Sequence, residues 1–236
     1  MIRLRNILLV LSAAVLVASC GGGSKPNVKI EREYDNNRRL IRETPYVNGV
    51  AHGMRKEYYT DGKLRLEAPF VNGKIYGTVK FYYPNGKVFS ETPRTNGKIH
   101  GKVRKYYKNG KLHSETPYEW GVLLPGLVEF NQRGDTLPQP TLILKKTSVK
   151  KGAQKIVTIT ASLSNGFEGA SYSMSNQVND KMVFTAMDKE NGKGVLRITM
   201  PANSMVQSVI GFRAEYVTSL NNRCLVENSM ALSETN

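Results

Sequence analysis

A chain of 236 residues with a formal charge of +15 and two cysteines, Cys20 and Cys224, has room for one large domain or two smaller ones. Two cysteines, one of them committed to the N-terminal chemistry below, exclude a disulfide framework. A basic balance of this size attracts anionic partners of every kind without selecting among them.

Arg3 and Arg5 precede an apolar run from Ile7 to Ala18 broken only by Ser12. A permanent membrane helix needs about 20 apolar residues, so the run is too short to span. Its basic start and small-residue end make residues 1–19 a secretory signal peptide. Val17-Ala18-Ser19-Cys20 resembles the lipobox of bacterial lipoproteins. That resemblance implies that Cys20 becomes the N-terminus and carries diacylglycerol and palmitate. Gly21-Gly22-Gly23-Ser24 then reads as a flexible tether within residues 20–29. No later stretch is long and apolar enough to cross a bilayer, so the expected anchor is the lipid alone. The expected place is the bacterial cell envelope, periplasm-facing or at the outer membrane. With Cys20 lipidated, Cys224 is expected to be a buried, inert thiol. Residues 21–137 carry a net +9 and residues 138–236 a net +4. An exported chain meets anionic lipids and wall polymers rather than nucleic acid, so no nucleic-acid partner is expected.

An internal repeat governs the next hundred residues. Three segments align at a period of 24, beginning at Asn48-Gly49, Asn72-Gly73 and Asn96-Gly97. Each continues with a second glycine (53, 77, 101) and a tyrosine pair: Tyr58-Tyr59, Tyr82-Tyr83 or Tyr106-Tyr107. A turn dipeptide follows, Asp61-Gly62, Asn85-Gly86 or Asn109-Gly110, and then a Glu-x-Pro ending at Pro69, Pro93 or Pro117. Tyr34, Glu43 and Pro45 keep the register in a worn copy upstream, and Gly121, Phe130 and Gly134 keep it downstream.

Read as a two-residue type I′ turn, Asp61-Gly62 sets Tyr59 opposite Leu64, Tyr58 opposite Arg65 and Lys56 opposite Glu67. The same arithmetic pairs Lys80 with Glu91 and Arg104 with Glu115. One face is then expected to carry the charge pairs with Tyr58, Tyr82 and Tyr106, alongside Arg65, Phe89 and His113. The other face, with Tyr59/Leu64, Tyr83/Val88 and Tyr107/Leu112, is expected to be the interior.

The pattern Gly-x-x-x-Gly, Tyr-Tyr, Asn-Gly-Lys, Glu-x-Pro resembles MORN repeats in their bacterial variant, over residues 30–137. The resemblance implies an elongated array of β-hairpins stacked side by side. Arrays of this kind serve as scaffolds, as dimerisation surfaces or as proposed lipid-contact surfaces, and some bacterial members are labelled antitoxins.

After Pro138 and Pro140 the period ends. Seven alternating runs follow, near 141–145, 155–162, 170–175, 182–186, 194–200, 208–218 and 223–232. Their number and spacing predict a separate immunoglobulin-like β-sandwich over residues 138–236, with Tyr216 as a candidate tyrosine corner. The fold expected for the whole chain is therefore all-β.

Catalytic signatures are missing from this reading. The histidines are 52, 100 and 113, and the first two share a repeat position that holds Tyr76 in the middle copy. No metal, no cofactor and no enzymatic activity are expected. The function expected is an interaction scaffold in the envelope. Its alternatives are binding of an anionic polymer or lipid head group through a basic, tyrosine-bearing face, and an antitoxin-like role. The candidate contact residues are Tyr58, Tyr82, Tyr106, Arg65, Phe89 and His113.

The lipobox makes a prediction of its own. Metabolic fatty-acid labelling should mark the wild-type chain, and Cys20→Ser should release the protein from membranes. An unlabelled wild-type chain contradicts the anchor.

Overall fold

The computed structural model describes residues 26–178 and 181–236. Cys20 and the signal sequence lie outside the described residues. Among those described, strands make up the regular structure and there is no helix. The array comprises β1 (Val28–Tyr34), β2 (Leu40–Val47), β3 (Val50–Ala51), β4 (Gly53–Tyr58), β5 (Leu64–Val71), β6 (Lys74–Ile75), β7 (Gly77–Tyr82) and β8 (Val88–Thr95). It continues through β9 (Lys98–Ile99), β10 (Gly101–Tyr106), β11 (Leu112–Glu119), β12 (Val122–Leu123), β13 (Val128–Phe130) and β14 (Thr136–Leu137). All fourteen form one antiparallel sheet, in which each long strand pairs with the next and the two-residue strands pair back onto their predecessors.

Two kinds of turn alternate along the array. Asn48 and Gly49 both have positive φ, 50° and 79°, and Val47 pairs with Val50 around them. That is the type I′ geometry, and it recurs at Asn72-Gly73, Asn96-Gly97 and Trp120-Gly121. The Asp61-Gly62 turn is different, which corrects the expected register. Only Gly62 has positive φ, the Tyr59 N–H donates to Lys63 O, and the Gly62 N–H donates to Tyr59 O. Here a type I turn is followed by a left-handed glycine, making a three-residue loop. Tyr58 therefore pairs with Leu64 rather than Arg65. A bulge between Glu57 and Tyr58 absorbs the extra residue and restores the expected Lys56–Glu67 pairing. The worn copies bend the same way, with Arg38 (φ 61°) and Gly134 (φ 105°) in the glycine position.

The glycine after each type I′ turn seats the proline of the Glu-x-Pro segment. A Cβ on Gly53 would lie 2.9 Å from Pro45 Cγ, and one on Gly77 would lie 3.0 Å from Pro69 Cγ. Positive φ at both glycines adds a second reason for that residue type. The neighbouring His52 N–H donates to Pro45 O at 3.0 Å, closing the break in the strand.

The face opposite the charge pairs is the interior, as expected, but small side chains rather than the second tyrosines are its buried residues. Thr44, Ala68 and Thr116, spaced by multiples of 24, are buried together with Val79, Ser90 and Ser114. Strand alternation puts these small side chains on the face opposite the Lys/Arg–Glu pairs. Tyr59, Tyr83 and Tyr107 are only half-buried, as are Tyr58, Tyr82 and Tyr106.

Two further four-stranded sheets follow, built from β15 (Leu142–Lys151), β16 (Gln154–Leu163), β17 (Ser171–Val178), β18 (Lys181–Ala186), β19 (Asp188–Glu190), β20 (Lys193–Met200), β21 (Met205–Val217) and β22 (Arg223–Thr235). Their orders are β15-β16-β20-β19 and β18-β17-β21-β22. Both sheets fill one core, with Val157, Ile159 and Met200 from the first and Tyr172, Phe212 and Leu232 from the second. Each of the seven expected runs falls on a strand. The unanticipated eighth, β19, is exposed and charged and gives no apolar alternation to read. Cys224 is buried, and burial pushes its thiol pKa up, which disfavours the reactive thiolate. Tyr216 is no tyrosine corner. It sits at the end of β21, where its hydroxyl meets the Gln139 side chain at 3.5 Å instead of backbone.

Array and sandwich meet in a buried joint. Leu127, just before β13, belongs to the sandwich core at 5% exposure. Glu129 of β13 accepts from Thr218 Oγ1 at 2.5 Å, Asn222 Nδ2 at 2.6 Å and Gln139 Nε2 at 3.1 Å. Ser114 Oγ completes the cluster by donating to Asn222 Oδ1 at 3.2 Å. A residue of the array thus plugs the sandwich. Leu127→Ala should cost the sandwich's melting transition about 2–5 kcal/mol, read by chemical denaturation of the whole chain. A loss below about 0.5 kcal/mol, the size of an ordinary surface change, contradicts the joint.

Candidate functional site

The tyrosine pairs recur in every good copy, so the site is built from them. The hydroxyl of the first tyrosine reaches one repeat back. Tyr58 donates to Glu43 at 2.8 Å, Tyr82 to Glu67 at 2.7 Å and Tyr106 to Glu91 at 2.9 Å. The second tyrosine reaches one repeat forward to a backbone carbonyl. Tyr59 donates to Tyr82 O, Tyr83 to Tyr106 O at 2.7 Å and Tyr107 to Phe130 O at 2.6 Å. All six hydroxyls therefore bond repeat to repeat.

Two of the three acceptor glutamates, Glu43 and Glu91, are also met by cations, and so is Glu115, which accepts from no tyrosine among the described residues. Arg32 meets Glu43 at 2.8 Å, Lys80 meets Glu91 at 3.3 Å, and Arg104 and Lys102 both meet Glu115. Lys56 and Glu67 share the register, but no ion-pair contact forms between them. Half-exposed pairs of this kind contribute about 0–1 kcal/mol each, so they orient the carboxylates more than they stabilise the sheet. The Arg32 guanidinium, and after it the Tyr58 hydroxyl, holds the Glu43 carboxyl below its ordinary pKa. Lys102 and then Arg104 do the same for Glu115. Burial, seconded by the bond to Glu67, raises the Tyr82 phenol to about 12. Tyr58 and Tyr106 are raised for the same two reasons.

Arg65, Phe89 and His113 do not join the row of first tyrosines. Arg65 pairs with Glu57, which alternates away from Lys56. Phe89 packs edge-on against Tyr83 at 5.1 Å and His113 against Tyr107 at 4.6 Å. The bulge before each first tyrosine is the cause, because it turns the residue after Leu64, Val88 or Leu112 towards the second tyrosine. His113 is moreover pushed to lower pKa by burial and then by the Lys105 charge, which favours the neutral ring. Among the described residues no three His, Cys, Asp or Glu side chains come together to hold a metal.

A feature that the tyrosine pattern obscured lies at the type I′ turns. Trp120, the chain's one tryptophan, stands where the other copies have Asn48, Asn72 and Asn96. Asparagine tolerates positive φ, whereas a bulky side chain there is an outlier, and Trp120 has φ 47°. Its ring lies 4.6 Å from the His100 ring of the preceding repeat and is still 50% exposed. Tyr76, at 54%, and Val122, at 58%, are exposed at the neighbouring turn positions. The substitution is visible when the copies are aligned, so a check of each repeat column for its deviant residue finds it.

Residues 51–72, 75–96 and 99–119 match the MORN repeat variant, three consecutive matches along the hairpin array. No curated protein matches the chain.

The tyrosine bonds predict an alkaline limit to stability. A folded-state phenol pKa above the unfolded value stabilises the protein fully below the unfolded value, and that contribution is lost as pH rises through the folded one. Melting temperature should therefore drop between pH 10.0 and about 12, and Tyr82→Phe should flatten that drop while lowering stability at pH 7. An alkaline limb equally steep in the variant contradicts the assignment.

Proposed function

We propose that the chain is a non-catalytic envelope lipoprotein, anchored through Cys20, whose MORN array is a scaffold for a protein partner. Trp120 is the observation that carries this reading. Backbone strain of about 1–3 kcal/mol persists at functional positions, and here it holds the chain's one tryptophan half-exposed beside His100. The hydroxyls of the six paired tyrosines are engaged internally, whereas the turn edge exposes Tyr76, Trp120 and Val122, with Val50 and Val71, as aromatic and apolar surface. Repeat proteins bind through extended surfaces of this kind. The sandwich is read as an immunoglobulin-like second module, supported by its two sheet orders.

A second reading has its own support. Asn27 and Asn48 bond to each other, so the chain enters the array at this same turn edge, seven residues after Cys20. Seven residues span at most about 25 Å, and Lys74 and Lys98 are exposed at that edge. An anionic head group or polymer at the membrane surface would meet them there.

A pull-down from envelope extract at low and high salt separates the readings. The scaffold reading expects a partner retained at high salt and lost with Trp120→Asn, whose stability should be unchanged or higher by up to about 1 kcal/mol. Capture that survives Trp120→Asn, or that vanishes in high salt and returns with anionic vesicles, overturns it.

A further inference from the structure

The joint between array and sandwich forms an open cleft of about 400 Å³. Its walls include Glu129 and Gln139, Asn165 and Phe167 from the loop after β16, and Tyr216 and Thr218 from the end of β21. Clefts of this size between packed units, with a few convergent polar groups, are where small ligands or single side chains bind.

Glu129 gives the cleft its chemistry. It is 4% exposed, and its three hydrogen-bond partners, Thr218, Asn222 and Gln139, are all neutral. Lys105, whose field reaches Glu129, donates its ammonium to Asn221 O at 3.2 Å, and the two do not form an ion pair. A buried carboxylate with no directly bonded counter-charge is costly, and a cation placed against it recovers part of that cost. The rings of Phe167 and Tyr216, which line the same cleft, stand 5.9 Å apart and tilted by 50°. Aromatic faces of this kind attract cations. A divalent metal is disfavoured because calcium takes six to eight oxygen ligands and the cleft offers one carboxylate.

We propose that this cleft binds an alkylammonium or guanidinium group, with the charge towards Glu129 and the alkyl stem against Phe167 and Tyr216. The site is separate from the turn edge and does not depend on the scaffold reading. The group has two sources, a basic side chain on a partner's extended segment or a free amine.

Calorimetric titration of the mature chain in detergent tests the proposal. The probes are n-butylammonium, n-butylguanidinium and N-acetyl-lysine amide, with butyramide and butyrate as uncharged and anionic controls. The cations should bind at one site while the controls do not. Tighter binding of N-acetyl-lysine amide than of n-butylammonium assigns the site to a peptide side chain, and the reverse order assigns it to a free amine. Glu129→Gln should remove the preference for n-butylammonium over butyramide. Because Glu129 also holds the joint, Phe167→Ala is the second variant. Its side chain is 42% exposed, so the fold should survive and cation affinity should fall about tenfold. Butyramide binding as well as the cations, or cation affinity unmoved by Phe167→Ala, overturns the proposal.

Discussion

The bond from each first tyrosine to the glutamate one repeat earlier is the contact on which the array depends. A single sheet of hairpins has no second layer to pack against, and its buried residues are mostly small: Thr44, Ala68, Ser90, Ser114 and Thr116. Apolar burial on that scale contributes little per repeat, so side-chain bonds between neighbours carry an unusual share of the cohesion. The tyrosines supply them in both directions, backwards to a carboxylate and forwards to a carbonyl. The 15-residue spacing from Glu67 to Tyr82 is constrained by this bond, because one residue more within a strand between them moves the hydroxyl to the other face.

The two ends of the array differ for the same reason. In the first copy Asp35 stands where later copies have the forward-reaching tyrosine, and in the last Phe130 stands where they have the backward-reaching one. The series of bonds therefore starts at Glu43 and closes at Phe130 O. Beyond that point the sandwich takes over, and the buried group at the junction is a carboxylate held by neutral donors instead of another tyrosine. A repeat array gains stability from nearest-neighbour interfaces and needs its ends covered. The joint at Glu129 covers one end, while β1 at the other is exposed along its whole length.

Much of this was legible in the residues. The three copies, the hairpin stack, the Lys/Arg–Glu register and seven of the eight sandwich strands could all be read from spacing and alternation. The register survived a wrong turn assignment only because the bulge at Glu57–Tyr58 compensates for the three-residue loop. The same bulge could not be read from the sequence, and so Arg65, Phe89 and His113 were assigned to the wrong tyrosine row. Bonds between repeats were illegible for a different reason. A tyrosine's partner one period away depends on how neighbouring hairpins stagger, which no local pattern encodes. The buried joint rests on contacts between residues about ninety positions apart, such as Glu129 with Asn222, and nothing in either segment signals the other.

A double-mutant cycle on Tyr82 and Glu67 tests the account at its centre. Tyr82→Phe, Glu67→Gln and the double variant would each be unfolded in denaturant at pH 7, away from the alkaline titration. If the hydroxyl and carboxylate join one repeat to the next, the two losses should couple by about 1 kcal/mol or more. Losses that simply add, to within about 0.3 kcal/mol, would mean that the array holds together without its tyrosine bonds.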